Sequence, residues 1–184
     1  GRIRFPRALV EDALAKANRD VTLFSRDGLN DLDLTGQRVH YGTAGAAVHL
    51  VNVEGNEYRE STLQDLHDAA RICDVLDNIH FVQRPMVARD ILDTMEGELN
   101  SIYACMSGTS KHVGISFSEP SIVPHALEML HQIAGGKDKW LERPFMSNSN
   151  CSISTCVRCS KRSGSCGRPA WKRKDSHLRS RSTR

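Results

Sequence analysis

The sequence is poor in aromatic residues, in long apolar runs and, over its first 150 residues, in cysteine. No stretch approaches the roughly 18 uninterrupted apolar residues that a membrane-spanning helix requires. No charged-then-apolar leader is present either, so we expect neither a membrane protein nor a secreted one. Only Cys73 and Cys105 occur in the first 150 residues, which is typical of a cytoplasmic protein. The hydrophobic fraction of 39% over 184 residues is enough for the core of one domain.

The last 34 residues almost lack acidic side chains. They contain one acid, Asp175, and ten Lys or Arg residues, whereas the first 150 residues contain 21 acidic and 15 basic residues. Four of the six cysteines lie in this short segment, and its few apolar residues follow no period of two or 3.6. Such a segment cannot bury enough surface to offset its chain entropy. We therefore predict that residues 151–184 form a disordered basic tail rich in Cys, Ser and Arg.

Two other interpretations of the tail stay open. Cys156 and Cys159 form a C-x-x-C pair, and Cys166 and His177 could complete a zinc site, although their wider spacing does not match a second close pair. The basic residues could neutralise phosphates, but only Trp171 could stack on bases, so nucleic-acid binding is not expected. A non-enzymatic zinc- or nucleic-acid-binding module is thus the alternative function, and no metal site is predicted.

Residues 1–60 are expected to form a small α+β segment. Pro6 suits the first turn of a helix that runs to Ala17. The glycine-rich stretch at Gly42 lacks the third glycine of a phosphate-binding loop, so we interpret it as a turn between strands. The strand candidates are 21–25, 38–41 and 47–53.

From residue 61 to residue 150, amphipathic helices alternate with short apolar strands. Hydroxyls at Ser61 and Thr62 can cap a helix whose apolar stripe ends near Leu76. A second stripe runs from Ile91 toward Cys105, and a third ends at Gly135 and Gly136. This alternation predicts parallel strands joined by right-handed crossovers, hence an α/β fold. The strand candidates are 79–83, 111–117 and 144–149.

Three motifs carry a resemblance to a known family. The segments Asp77–Asp90, Ser110–Phe117 and Arg143–Cys151 resemble, in order, the trimethylamine–corrinoid protein methyltransferases. The resemblance covers essentially residues 1–151. It implies a (β/α)8 TIM-type barrel whose first three strands lie within residues 61–150.

The resemblance also implies an activity. Members transfer a methyl group from a methylated or quaternary amine, such as trimethylamine or a betaine, to a corrinoid carried by a separate protein. The corrinoid is the implied cofactor, the corrinoid protein is the implied partner, and this chain is not expected to bind the cofactor directly. The catalytic residues are not identified by the matching motifs.

Barrel active sites gather at the carboxyl ends of the strands. Four residues there are predicted to bind substrate: Arg84, Ser116, Asn148 and Asn150. A guanidinium grips a substrate carboxylate through two parallel hydrogen bonds, and the alternative for Arg84 is packing at the rim or pairing with Asp90. Asn148 and Asn150 either line a polar pocket or cap the next loop.

Strand alternation assigns the two faces of residues 111–117. Val113, Ile115 and Phe117 suit the helix-facing side, which leaves His112, Gly114 and Ser116 pointing inward. His80 and His112 could act as ligands or bases, although a neutral buried histidine is favoured. Phe81, Phe117 and Tyr103 could cage a quaternary ammonium, but core packing is favoured for each.

Three strands would leave an open parallel edge and an incomplete barrel mouth. We therefore expect the chain alone to be poorly soluble and inactive in methyl transfer. We hypothesise that residues from about 152 onward are an out-of-frame read of a longer gene. A shifted coding frame that fails to restore an amphipathic helix after Asn150 would refute this hypothesis.

Overall fold

The computed structural model describes residues 4–17 and 20–148, with only the backbone of Asn148 at its end. These residues form a mixed α/β structure with one small parallel sheet. The elements in chain order are α1 (Arg7–Lys16), β1 (Thr22–Leu23), β2 (Leu32–Asp33), β3 (His49–Asn52), β4 (Glu57–Glu60), α2 (Leu63–Val75), β5 (Phe81–Gln83), α3 (Thr94–Gly108), β6 (His112–Ile115), α4 (Val123–Ala134), α5 (Lys137–Glu142) and β7 (Met146–Asn148).

The parallel sheet has the strand order β5-β6-β7. Phe81 pairs with His112 and Gln83 with Gly114, while Gly114 pairs in turn with Ser147. Helix α3 connects β5 to β6, and α4 with α5 connects β6 to β7. The predicted βα alternation and parallel pairing are therefore confirmed. Within the described ranges the three strands form an open sheet, and no closed barrel is present.

Helices α2, α3 and α4 cover one face of the sheet. Their apolar stripes join the sheet residues in one core that includes Leu66, Ile102, Leu130 and Val113. The predicted start of α2 is confirmed, because Thr62 and Asp65 form a reciprocal capping box at its amino end. Helix α4 ends at Gly135, whose φ of 77° is the left-handed conformation that glycine adopts readily.

The amino-terminal elements only partly follow the sequence prediction. Strands β1 and β2 form one antiparallel pair, and β3 with β4 forms a hairpin. Residues 38–41 do not form a strand, and Gly42 does not lie in a turn between two strands. Gly42 instead makes a parallel bridge to Phe81. A Cβ at Gly42 would come within 2.5 Å of the Phe81 ring, so only glycine allows the backbone this close.

The outer edge of β5 is covered by the segment 41–47. His80 N donates to Tyr41 O at 2.7 Å, and Val87 N donates to Ala47 O at 2.9 Å. Thr43 Oγ1 donates to Gln83 O between these two points. The predicted open parallel edge is therefore wrong on the β5 side, because backbone groups in and beside β5 have partners in the segment 41–47.

The short helix α5 is not foreseen in the sequence. Its Trp140 is fully buried and packs edge-on against Phe145, with ring centroids 4.9 Å apart. In contrast, α1 buries none of its residues against the rest of the described chain. The predicted tail, residues 151–184, lies outside the described residues.

Candidate functional site

The two faces of the parallel sheet differ sharply in chemistry. Val82, Val113 and Met146 are paired across the three strands and are completely buried beneath the helices. The next row holds Gln83, Gly114 and Ser147, and strand alternation directs it to the opposite side. We call that opposite side the inner face, defined by Phe81, Gln83, His112, Gly114 and Ser147. The predicted assignment of β6 residues to two faces is confirmed by the burial of Val113, Ile115 and Phe117 in the core.

Gly114 leaves space on the inner face that the Gln83 side chain fills. A Cβ at Gly114 would collide with Gln83 Oε1 and lie 3.0 Å from Gln83 Cδ. The carboxamide of Gln83 thus lies across the middle strand, in the same row as Ser147. A carboxamide offers both a donor and an acceptor to a ligand. Sequence reasoning missed Gln83, although its place one residue before Arg84 in an alternating strand was a usable signal.

His112 and Ser147 form a hydrogen-bonded pair on the inner face. His112 Nε2 lies 3.0 Å from Ser147 Oγ, and His112 Nδ1 lies 2.9 Å from the carbonyl oxygen of Phe24. Burial lowers the pKa of His112, although a hydrogen bond to Phe24 and the charge of Asp31 act in the opposite direction. The imidazole is therefore neutral near pH 7, as the sequence predicts.

The loop after β1 is held against the amino ends of β6 and β7. Asp31 accepts hydrogen bonds from Arg143 Nη2 at 2.8 Å and from Ser25 N at 2.9 Å. The guanidinium of Arg143 lies over the Phe24 ring, 5.0 Å from its centroid. Burial raises the pKa of Asp31, but the bonds from Ser25 and Arg143 outweigh it and leave that pKa below its usual value. These contacts fix the Phe24 carbonyl beside His112.

Ser116 directly follows β6 at its carboxyl end and is half-buried. The same loop is anchored two residues later by Glu98 of α3, which is only 6% exposed. Ser118 N donates to Glu98 Oε1 at 2.9 Å, and the Ser118 hydroxyl donates to the same oxygen. A buried carboxylate with these partners holds the loop that carries Ser116 in place.

Arg84 directly follows β5, and its backbone N donates to Gly114 O at 2.9 Å. Burial raises the pKa of the Cys105 thiol to about 12, and the positive charge of Arg84 acts against that rise. The charge of the Arg84 guanidinium therefore acts on Cys105 of α3. Asp90, the alternative partner considered for Arg84, accepts a hydrogen bond from Leu63 N at 3.0 Å, and among the described residues it forms no ion pair with Arg84.

The predicted pair of asparagines lies at the limit of the described chain. The backbone of Asn148 pairs with Ile115 in the sheet, while its side chain and the whole of Asn150 lie outside the described residues. The three aromatic residues occupy different environments. Phe117 is in the core, Tyr103 is 60% exposed on α3, and Phe81 packs against Gly42.

A cavity of about 140 Å³ lies at the amino ends of the strands, where Asn30 and Leu32 also line it. Its lining includes Asp74, Asp77, His80 and Lys111. Lys111 Nζ donates to the carbonyls of Cys73, Leu76 and Ile79 at 2.7–2.9 Å. Asp74 accepts from Thr109 and Ser110. The bonds of Lys111 and Asp74 to the chain itself indicate a structural role for these two residues.

The described residues also bear on metal binding and on membrane insertion. In residues 4–17 and 20–148, no three His, Cys, Asp or Glu side chains are grouped so that they could hold a metal ion. Across the same ranges, every helix is too short or too polar to cross a membrane. The tail cysteines of the alternative zinc hypothesis lie outside these residues.

The fold defines a mixed α/β protein whose small parallel sheet has one apolar and one largely polar face. A family model described as trimethylamine methyltransferase (MTTB) matches residues 1–159. The chain therefore belongs to the MTTB trimethylamine methyltransferase family. This confirms the resemblance carried by the three motifs.

Three relatives illustrate the match. The trimethylamine methyltransferase MttB of Desulfitobacterium hafniense (strain DSM 10664 / DCB-2) is 33% identical over 152 residues, which are 83% of this chain and 30% of that protein. The trimethylamine methyltransferase MttB1 of Methanosarcina mazei is 29% identical over 156 residues, or 83% of this chain and 32% of that protein. The glycine betaine methyltransferase of D. hafniense (strain Y51) is 25% identical over 146 residues, which are 79% of this chain and 30% of that protein. The chain thus spans about 30% of the length of such relatives.

Proposed function

We propose that this chain supplies the amino-terminal segment and the first three βα units of a corrinoid-dependent amine methyltransferase with a (β/α)8 barrel. Residues 1–60 would form the preceding segment, residues 61–150 the barrel units, and residues 151–184 a separate tail. The observation that supports this most directly is the polar row Gln83–Gly114–Ser147 on the inner face, in a chain of this family. Barrel active sites lie at the carboxyl ends of the strands, and Gln83 is the last residue of β5.

The reaction would move a methyl group from an ammonium nitrogen to a corrinoid. A corrinoid on a separate partner protein would supply the nucleophile that accepts the methyl group. The carbon–nitrogen bond would break, and its electron pair would stay on the amine. The contribution of this chain would be to bind and orient the methylated amine.

The inner face would contact the ammonium through oxygen atoms. The Gln83 amide oxygen and the Ser147 hydroxyl carry partial negative charge, which attracts an N–H or polarised C–H group of a methylated ammonium. Ser116 would add a third polar group at the carboxyl end of β6. Asn148 and Asn150 stay predicted substrate contacts of the same site.

Arg84 stays a predicted ligand for a substrate carboxylate. A betaine carries such a carboxylate and trimethylamine does not. Its place directly after β5, at the carboxyl end of the strand, supports this role. We further propose that the protein works in the cytoplasm, since both described cysteines are free thiols.

The proposal is tested with a chimera. Residues 1–148 of this chain replace the matched region of D. hafniense trimethylamine methyltransferase, and methylation of a reduced corrinoid protein is followed spectroscopically. We expect methyl transfer from trimethylamine or glycine betaine. Ser147→Ala should lower kcat/KM by roughly 2- to 10-fold, from the loss of one hydrogen bond worth about 0.5–1.5 kcal/mol.

Ser107→Ala is the matched control, because Ser107 is exposed on α3 and its hydroxyl donates only to Ala104 O. The proposal would be contradicted by a chimera that folds and binds the corrinoid protein but transfers no methyl group from either amine. If Ser107→Ala and Ser147→Ala changed kcat/KM equally, Ser147 would not be a substrate contact.

A further inference from the structure

The Phe24–His112–Ser147 chain of hydrogen bonds joins the amino-terminal segment to the inner face. Phe24 and His112 are 88 residues apart in sequence, and His112 and Ser147 are 35 apart. His112 is only 2% exposed, so its two ring nitrogens have these two partners rather than bulk water. Each nitrogen must be either a donor or an acceptor.

The partner of Nδ1 fixes the tautomer. A carbonyl oxygen only accepts, so Nδ1 must carry the proton and donate to Phe24 O. In a neutral imidazole the other nitrogen, Nε2, is then an acceptor. The Ser147 hydroxyl must donate its hydrogen to Nε2 across the 3.0 Å contact.

Burial favours the neutral ring, while the hydrogen bond to Phe24 and the charge of Asp31 favour the protonated one. Asp31 is the carboxylate whose charge acts on His112, and Arg143 contacts both of its oxygens at 2.8 Å. Ser25 N adds a further bond to Asp31. These bonds to Asp31 offset part of its negative charge, and burial outweighs what remains, so the ring stays neutral.

From this geometry we infer that His112 is a positioning residue, which the Phe24 carbonyl locks in one tautomer so that the Ser147 hydroxyl presents only its lone pairs to a ligand. This inference deepens the proposed function and rests on it. The Ser147 hydrogen is committed to His112, so a ligand at Ser147 must bring a donor. An ammonium N–H or a methyl C–H polarised by the positive nitrogen meets this requirement.

The amino-terminal segment therefore contributes to the site without touching the ligand. Its loop is fixed by the Asp31–Arg143 pair and by Arg26 N, which donates to Ser110 O at 2.7 Å. Loss of this loop would free His112 to take the other tautomer and would turn the Ser147 hydroxyl outward as a donor.

The test is ¹⁵N NMR of the histidine rings in the full 184-residue chain, without amine or corrinoid. The His112 signals are assigned by their loss in His112→Gln. We expect a protonated Nδ1 and an unprotonated, hydrogen-bonded Nε2 at pH 7. Ser147→Ala should shift Nε2 toward the value of a free nitrogen, while Ser107→Ala should leave it unchanged.

A proton on Nε2, or an Nε2 shift that Ser147→Ala leaves unaltered, would overturn the inference. Ser147→Thr retains the hydroxyl and should retain the wild-type shift, so it controls for a general loss of packing in Ser147→Ala. Because the measurement needs no methyl transfer, its failure is distinct from an inactive chimera, which would count against the proposed function.

Discussion

Because α2 packs against α3, we expect a glycine-to-alanine substitution to change the free energy of unfolding in opposite directions at two positions of α3. Gly108 lies in the last turn of α3, where it faces α2. A Cβ there would be 2.7 Å from Ala70 Cβ and 2.8 Å from the His67 carbonyl oxygen. Neither atom is the end of a flexible side chain, so Gly108→Ala must push the two helices apart.

Gly97 lies in the first part of the same helix and has room. The nearest atom to a Cβ at Gly97 would be the Ile91 carbonyl oxygen at 3.7 Å, an ordinary contact. Alanine in a helix interior is favoured over glycine by about 0.5–1 kcal/mol. Overpacking of a close contact costs about 1–3 kcal/mol.

We therefore expect Gly97→Ala to raise the free energy of unfolding by about 0.5–1 kcal/mol and Gly108→Ala to lower it by about 1–3 kcal/mol. The assay is urea unfolding followed by circular dichroism, with the slope m compared among the three proteins. Equal effects of the same sign would refute the packing of α2 against α3. So would a stabilising Gly108→Ala, because it would show that the helices are not in contact at this point.

Three further predictions concern the buried charges and the inner face. Lys111→Met should lower the unfolding free energy in urea by about 1.5–3 kcal/mol, because three carbonyl acceptors lose a charged donor; an unchanged midpoint would contradict this. The hydrogen bond from Arg59, together with bonds from Thr62, holds the pKa of Asp65 well below its usual value despite burial. Its contribution to stability should be present above pH 5 and should be lost as the pH falls below about 4; Asp65→Asn should flatten that part of the pH profile of thermal unfolding. Gly114→Ala should displace the Gln83 amide with little change in melting temperature. In the chimera it should raise KM for the amine roughly 2- to 10-fold, because one hydrogen bond to the amine is lost. An unaltered KM would show that the amine binds elsewhere.

Local patterns were enough to predict the elements that depend on local chemistry. The cap at Thr62, the helix end at Gly135 and the two faces of β6 all follow from residues within a few positions of one another. Helix α5 could not be predicted in this way. It has only six residues, too few to be stable alone, and its Trp140 is buried in the core shared with α2, α3, α4 and the sheet.

The candidate site shows the same limit. Spacing in the sequence indicated that His112 and Gly114 point inward, but the partners of His112 lie far away in the chain. The place of Gly42 beside Phe81 is also a long-range contact, so the sequence suggested a turn there instead. Residue types therefore predicted the polar character of the inner face, and only the packing of distant segments defined its hydrogen bonds.

The central claim is that the inner face, at the row of Gln83 and Ser147, is where the methylated amine binds. A crystal structure of the chimera with tetramethylammonium tests it most directly, because this cation mimics the charged nitrogen and its methyl groups. We expect the cation in contact with Ser147 Oγ and the Gln83 amide oxygen. A cation bound instead at the other end of the strands, in the cavity beside Asp77 and His80, would contradict it.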